Sequence, residues 1–174
     1  MWRAVAASVL LLACARPPEE GESSNRSAGG VDSLVLERTR CYGVCPAYRL
    51  RISAPGQIRF ESRNPGDEAR TAVDTAPATT LSTLASRARD IGFFDLPSDI
   101  AADSVLCRDR ATDHPTVTTT IFAGKTTKTV VDYHGCFQAN DHSVLAPIGK
   151  LRAFENEIDS VLKSSRWVRP ASRR

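Results

Sequence analysis

Several signatures are missing from this chain. No stretch approaches the roughly 20 apolar residues of a membrane-spanning helix, which excludes a polytopic membrane protein. The formal charge is only +3, from 23 Lys+Arg against 20 Asp+Glu, with no basic run, so no electrostatic footprint for nucleic acid is present. There is no Gly-x-Ser-x-Gly elbow of the kind that exposes a hydrolase nucleophile. Cys107 and Cys136 stand alone, without the paired spacing of zinc ribbons. Asp99, Asp103, Asp109 and Asp113 lack the alternate spacing and Gly of a calcium loop; they read as turn and solvation residues. What remains is ordinary globular composition, 41% hydrophobic and 25% charged, which excludes collagen-like, coiled-coil and wholly disordered chains. The 174 residues suit one domain, which at this size buries roughly 68–70% of its unfolded surface.

The first thirty residues read as address and tether. Met1-Trp2-Arg3 is a short basic start, and residues 4–13 are apolar except Ser8, which is secretory-signal logic. Leu11-Leu12-Ala13-Cys14 resembles the bacterial lipobox. That resemblance implies a signal peptide over residues 1–13, with Cys14 becoming the lipidated first residue of the mature chain. Ala15 follows where the Asp associated with inner-membrane retention would stand, so the expected location is the outer membrane, facing the periplasm. Residues 15–30 offer nothing apolar larger than Ala or Pro and cannot offset the entropy of ordering. With Cys14 they form a tether of roughly 20–24 Å r.m.s. reach.

The folded domain is expected over residues 31–165, ahead of a basic tail at 166–174 in which Trp167 packs on the domain edge. Residues 31–37 read as a strand. Tyr48, Leu50 and Ile52 alternate with Arg49, Arg51 and Ser53, the clearest period of two in the chain. After Pro55-Gly56, Ile58 and Phe60 alternate in turn, so 47–53 and 57–62 form a hairpin. Its outer face carries Arg49, Arg51 and Arg59. Residues 69–74 add a strand. Leu81, Leu84, Ala85, Ala88 and Ile91 mark a helix, with Thr79 or Thr80 as cap and Gly92 as stop. Residues 98–115 read as a polar loop, 116–122 and 126–133 as a second hairpin, and 134–143 as another loop. Ile148, Leu151, Phe154, Ile158, Val161 and Leu162 then repeat at helical spacing after Pro147. The fold class is α+β: an antiparallel sheet of two β-hairpins plus edge strands, with two helices packed on one face. Tyr48, Leu50, Ile52, Ile58 and Phe60 should point inward against Leu84, Ile91, Leu151 and Ile158.

Cys41-Tyr42-Gly43-Val44-Cys45-Pro46-Ala47-Tyr48, followed by an alternating strand, resembles the bacterial family called domain of unknown function 6438. Thr112-Asp113-His114-Pro115 is similar to its Thr-Asp-x-Pro segment, with His114 where a small or apolar residue is expected. Ala146-Pro147 resembles the start of its last helix. The family motif thus takes in Cys41, Tyr42, Gly43, Cys45, Pro46, Tyr48, Asp113 and Pro115. The resemblance implies an exported, often lipid-anchored domain and brings no catalytic residue.

The chemistry candidates weigh toward structure. Cys41 and Cys45 have three residues between them and a strand after Pro46, so they lack the helix N-terminus that activates redox thiols. In an exported protein they read as a disulfide. The four domain cysteines allow three pairings. Gly43 permits the turn that Cys41–Cys45 requires, and Cys107 and Cys136, in the two long loops, are expected to form the second disulfide. Either cysteine of the turn could instead reach a loop. Asp132, His134, Asp141 and His142 lie near one loop and read as polar residues facing water. Asp113 beside His114 offers a base with no defined nucleophile. No catalytic residue, metal ligand or cofactor is therefore assigned. The favoured function is a non-catalytic, lipid-anchored envelope domain with a binding or structural role, contacting the membrane through its lipid and an envelope protein as partner. The alternative is an envelope enzyme or metal-binding protein using the loops around His114 and from His134 to His142. A concave pocket holding these histidines with two carboxylates would favour it.

Overall fold

The computed structural model describes residues 30–67, 70–138 and 143–169. The expected signal segment, Cys14, nearly all of the tether, Asp141 and His142 lie outside the described residues. Six strands build the main sheet: β1 (Ser33–Arg38), β2 (Tyr48–Ser53), β3 (Gln57–Ser62), β4 (Thr71–Thr75), β6 (Thr116–Ala123) and β7 (Thr126–Tyr133). Two short strands, β5 (Asp109–Arg110) and β8 (Cys136–Phe137), pair separately. The helices are α1 (Thr80–Asp90) and α2 (Ala146–Val161). The main sheet runs β4-β3-β2-β1-β6-β7 and is antiparallel at every pairing. The two hairpins therefore flank β1, which is central, and β4 is an edge.

Register follows from side-chain parity. Ile58, Ile52, Leu34 and Ile121 lie opposite one another across four strands, and Phe60, Leu50, Leu36, Thr119 and Val130 across five. A one-residue slip would turn this apolar set to water. Leu81, Leu84, Ala85 and Ala88 of α1 and Ile148, Leu151, Phe154 and Ile158 of α2 are buried in the same cluster. Both helices therefore cover one face. Ile91 is only partly buried at its rim. Trp167, partly buried, packs against the margin of the core as expected, its ring centred 5.6 Å from that of Phe60.

The opposite face is charged, but not simply basic. Arg49 pairs with Glu37 at 3.1 Å and Arg59 with Glu61 at 2.7 Å. Thr79 does not cap α1 with its side chain. It takes helical dihedrals (φ −79°, ψ −14°), whereas a capping side chain needs an extended residue to reach the free N–H groups. Its carbonyl instead accepts the hydroxyls of Ser82 and Thr83. The loop at 98–115 is more ordered than its polarity suggests. Ile100 is fully buried, and Ser98 accepts the Val131 N–H at 2.9 Å, so this segment covers the outer edge of β7. Asp99, Asp103 and Asp109 each accept a nearby backbone N–H, the usual work of Asp in turns.

Two disulfides tie the loops. Cys41 bonds Cys45, with Cα atoms 5.4 Å apart, and Cys107 bonds Cys136 at 4.9 Å. Gly43 takes φ 146°, a region closed to most L residues, and so lets the small ring close. With a separation of 29 residues against 4, the chain-entropy model gives the larger ring roughly 3.6 kcal/mol and the smaller roughly 2.1.

Leu50 and Ile158 are both fully buried, one in the sheet and one in α2. Leu50→Ala and Ile158→Ala should each lower the unfolding free energy by about 2–5 kcal/mol in a urea titration. An unchanged midpoint in both would contradict the packing of α2 on β2.

Candidate functional site

The third inward row of the sheet breaks the apolar pattern. Tyr48, Arg38, Val117 and Asp132 lie opposite one another from β2 to β7. Helix α2 answers with Arg152, Glu155, Asn156 and Asp159, whose spacing of three, four and seven residues places them on one helix face. A polar seam results between sheet and helix.

At one end of the seam, Asp159 gathers three donors. Its Oδ1 accepts Tyr48 OH and Ser164 Oγ, each at 2.6 Å, and its Oδ2 accepts Arg38 Nε at 2.8 Å. Arg38 Nη2 also donates to Asn156 at 3.2 Å. Burial and the Asp159 carboxylate push the Tyr48 phenol well above its ordinary value. For Arg38, burial pulls downward, but Asp159 and Tyr48 outweigh it and the net shift is upward.

At the other end, Arg152 grips Asp132 with two bonds, Nε to Oδ2 at 2.8 Å and Nη2 to Oδ1 at 3.2 Å. Its Nη2 also reaches the carbonyls of Tyr133 and Cys136. His134 Nε2 lies 3.0 Å from Glu155 Oε2 and 3.5 Å from Asp132 Oδ2. Both carboxylate residues are fully buried. Burial raises the Glu155 pKa, the His134 hydrogen bond lowers it, and the neighbouring Asp132 adds to the rise.

Loops close over this end of the sheet. The Tyr42 N–H donates to the Asp113 carbonyl at 3.0 Å, and the His134 N–H to the Pro115 carbonyl at 3.0 Å. Tyr133 OH donates to the Ala111 carbonyl and accepts the His114 N–H. The two segments that carry the family resemblance thus meet. Beside them opens a small cleft of about 130 Å³, bordered by His114, His134, Cys136, Phe137, Val144 and Arg152.

Each expected residue can now be placed. Tyr42 is 89% exposed at the tip of the Cys41–Cys45 ring, and Val44 is exposed beside it. Pro46 is half-buried, and Tyr48 is buried in the seam. Asp113 takes φ 70°, and its carboxylate accepts Thr112 Oγ1. His114 is exposed. One reading is corrected. Asp132 does not face water as a loop residue; it is a fully buried strand residue, on the inward parity of Val130 and paired with Arg152. Glu155, Asp159, Arg152 and Arg38 were not singled out from the sequence. The available signal was Arg38 sharing the parity of Leu34 and Leu36, together with the helical spacing of the α2 charges.

Fold and site define a small α+β domain whose disulfide-tied loops roof a polar seam. The family described as Domain of unknown function (DUF6438) matches residues 32–161, and the chain belongs to it. The match begins just before β1 and ends at the last residue of α2. No curated protein matches the chain.

Arg38 and Asp159 have side chains only 15% and 19% exposed. Asp159→Ala strands the guanidinium and should cost about 3 kcal/mol, the lower end for buried pairs, because Arg38 keeps Asn156. Tyr48→Phe removes one bond to a charged group and should cost about 1.5–3 kcal/mol. The Tyr48 pKa is higher folded than unfolded, so its contribution is whole below the unfolded value of about 10 and falls as pH rises past it. Denaturant midpoints should therefore drop more steeply above that pH in wild type than in Tyr48→Phe, where Asp159, Arg38 and Ser164 remain but position 48 carries no phenol. Parallel curves would contradict the burial of the phenol.

Proposed function

We propose that this protein is a lipid-anchored domain of the bacterial cell envelope. It is held through Cys14, faces the periplasm from the outer membrane, and binds an envelope protein without performing a catalytic step. The observation that carries the binding role is the Cys41–Cys45 ring, which holds Tyr42 almost fully in solvent beside exposed Val44. An aromatic on a constrained loop loses little conformational entropy on docking and supplies a large contact. Export is supported by the signal-like start and by two disulfides, which persist in oxidising compartments. Anchoring rests on Leu11-Leu12-Ala13-Cys14. Two or more acyl chains there, at ~0.8 kcal/mol for each buried CH₂, give stable attachment. None of the described helices is long and apolar enough to cross a membrane.

Cys14→Ser should leave the chain unprocessed or release it from membranes, as read by fractionation and the mass of the product. Unchanged membrane association and mass would remove the anchor from this reading. A photo-crosslinking residue at Tyr42 should give one discrete protein adduct in intact cells, while the same residue at exposed Val73 gives none. Equal labelling at both positions would remove the binding role.

A further inference from the structure

His134, on the border of the cleft, belongs to a group of donors with no assigned purpose. Asp132, His134 and Glu155 each offer one ligand atom, and all three atoms lie within 4.8 Å of one another. We propose that these residues form a binding site for a single divalent first-row transition metal ion, of the zinc class, with its remaining position open to the cleft. This does not rest on the partner-binding reading above.

Geometry comes first. In a tetrahedral zinc site with bonds of about 2.0–2.1 Å, donors stand about 3.3 Å apart. His134 Nε2 stands 3.0 Å from Glu155 Oε2 and 3.5 Å from Asp132 Oδ2, close to that spacing, and the two carboxylates, within 4.8 Å of one another, would draw together on an ion. The donors sit on firm supports. Asp132 is in β7, Glu155 is in α2, and His134 lies between β7 and the Cys136 disulfide.

A second observation is independent of the spacing. Glu155 is fully buried, and its Oε1 has no hydrogen-bond partner among the described residues. A buried carboxylate oxygen left without a donor is costly. Its other oxygen, Oε2, is the one facing His134, so one carboxylate carries both a ligand atom of the trio and an unpaired oxygen.

Charge points the same way. With neutral His134 the three residues carry two negative charges, and Arg152 offsets one of them. A divalent metal ion with an anionic fourth ligand completes the balance. Arg152 does not exclude the metal. It takes Oδ1 of Asp132 and one lone pair of Oδ2, leaving a second lone pair on Oδ2, and it fixes the carboxylate as outer-shell partners do. One imidazole with two carboxylates selects zinc and its neighbours over calcium or magnesium, which take oxygen alone. His134 and Arg152 border the cleft with His114. The open position therefore faces a space large enough for water or a small anion, as in sites that keep one exchangeable ligand.

The test uses the full chain carrying Cys14→Ser, which removes the one cysteine outside the two disulfides, after dialysis against a chelator. Zinc is titrated in competition with a chromophoric chelator, and cobalt is followed by its visible absorption. One equivalent should bind. His134→Ala and Glu155→Gln should each weaken binding by at least about tenfold, while His114→Ala binds as wild type. Zinc should also raise the thermal midpoint of wild type but not of Glu155→Gln. If Glu155→Gln does not fold, His134→Gln takes its place. No saturable binding, or binding lost only in His114→Ala, would overturn the site. The trio would then be a structural hydrogen-bonded cluster, or one surface imidazole the ligand of the zinc.

Discussion

The ion pair between Arg38 and Asp159 decides where α2 lies. An apolar helix face can slide over an apolar sheet at modest cost, because dispersion and burial are not directional. A guanidinium at the end of a strand and a carboxylate late in a helix can meet in one arrangement only. Here the bond is made at 2.8 Å, and the same carboxylate also binds Tyr48 and Ser164. Once Asp159 is placed, helical spacing carries Glu155 to His134 and Arg152 to Asp132. The seam is therefore a register device as well as a candidate site, and the apolar rows supply most of the burial.

Covalent ties act on the other side of the same end. The Cys107–Cys136 bond joins the loop after α1 to the turn that carries His134, and the Cys41–Cys45 ring braces the loop leaving β1. Backbone bonds from Tyr42 to Asp113 and from His134 to Pro115 join the two. Chain segments far apart in sequence thus converge above the seam, where the family resemblance was concentrated. At the opposite end of the sheet, residues 54–56 and 124–125 turn tightly between paired strands.

Much of the fold was legible because parity and helical spacing are local properties. Tyr48, Leu50, Ile52, Ile58 and Phe60 alternate without interruption, and their burial follows. The place of β1 was not legible. Its sequence shows Leu34 and Leu36 on one face, but nothing local says that Val35 is buried too or that its partners are β2 and β6. The site was missed for a related reason. Arg152, Glu155 and Asp159 look like the solvated side of an amphipathic helix until Arg38 and Asp132 are seen to face them. Charged residues buried in pairs carry the same letters as charged residues in water. The role of Thr79 was misjudged because residue type alone does not set the backbone angles a cap requires.

The central place of β1 has a consequence for the order in which the chain can finish folding. Ser33 pairs with Ser53 on one side and with Phe122 on the other. During synthesis the first partner follows almost at once, but the second waits until β6 has been made. Until then β1 is a rim strand showing Leu34 and Leu36 beside an unpaired ladder, the kind of edge that recruits strands from other chains. The middle of the sheet therefore cannot close before β6 has been made. Any shortening that removes β6 exposes the heart of the sheet, whereas trimming β4 would cost only its border.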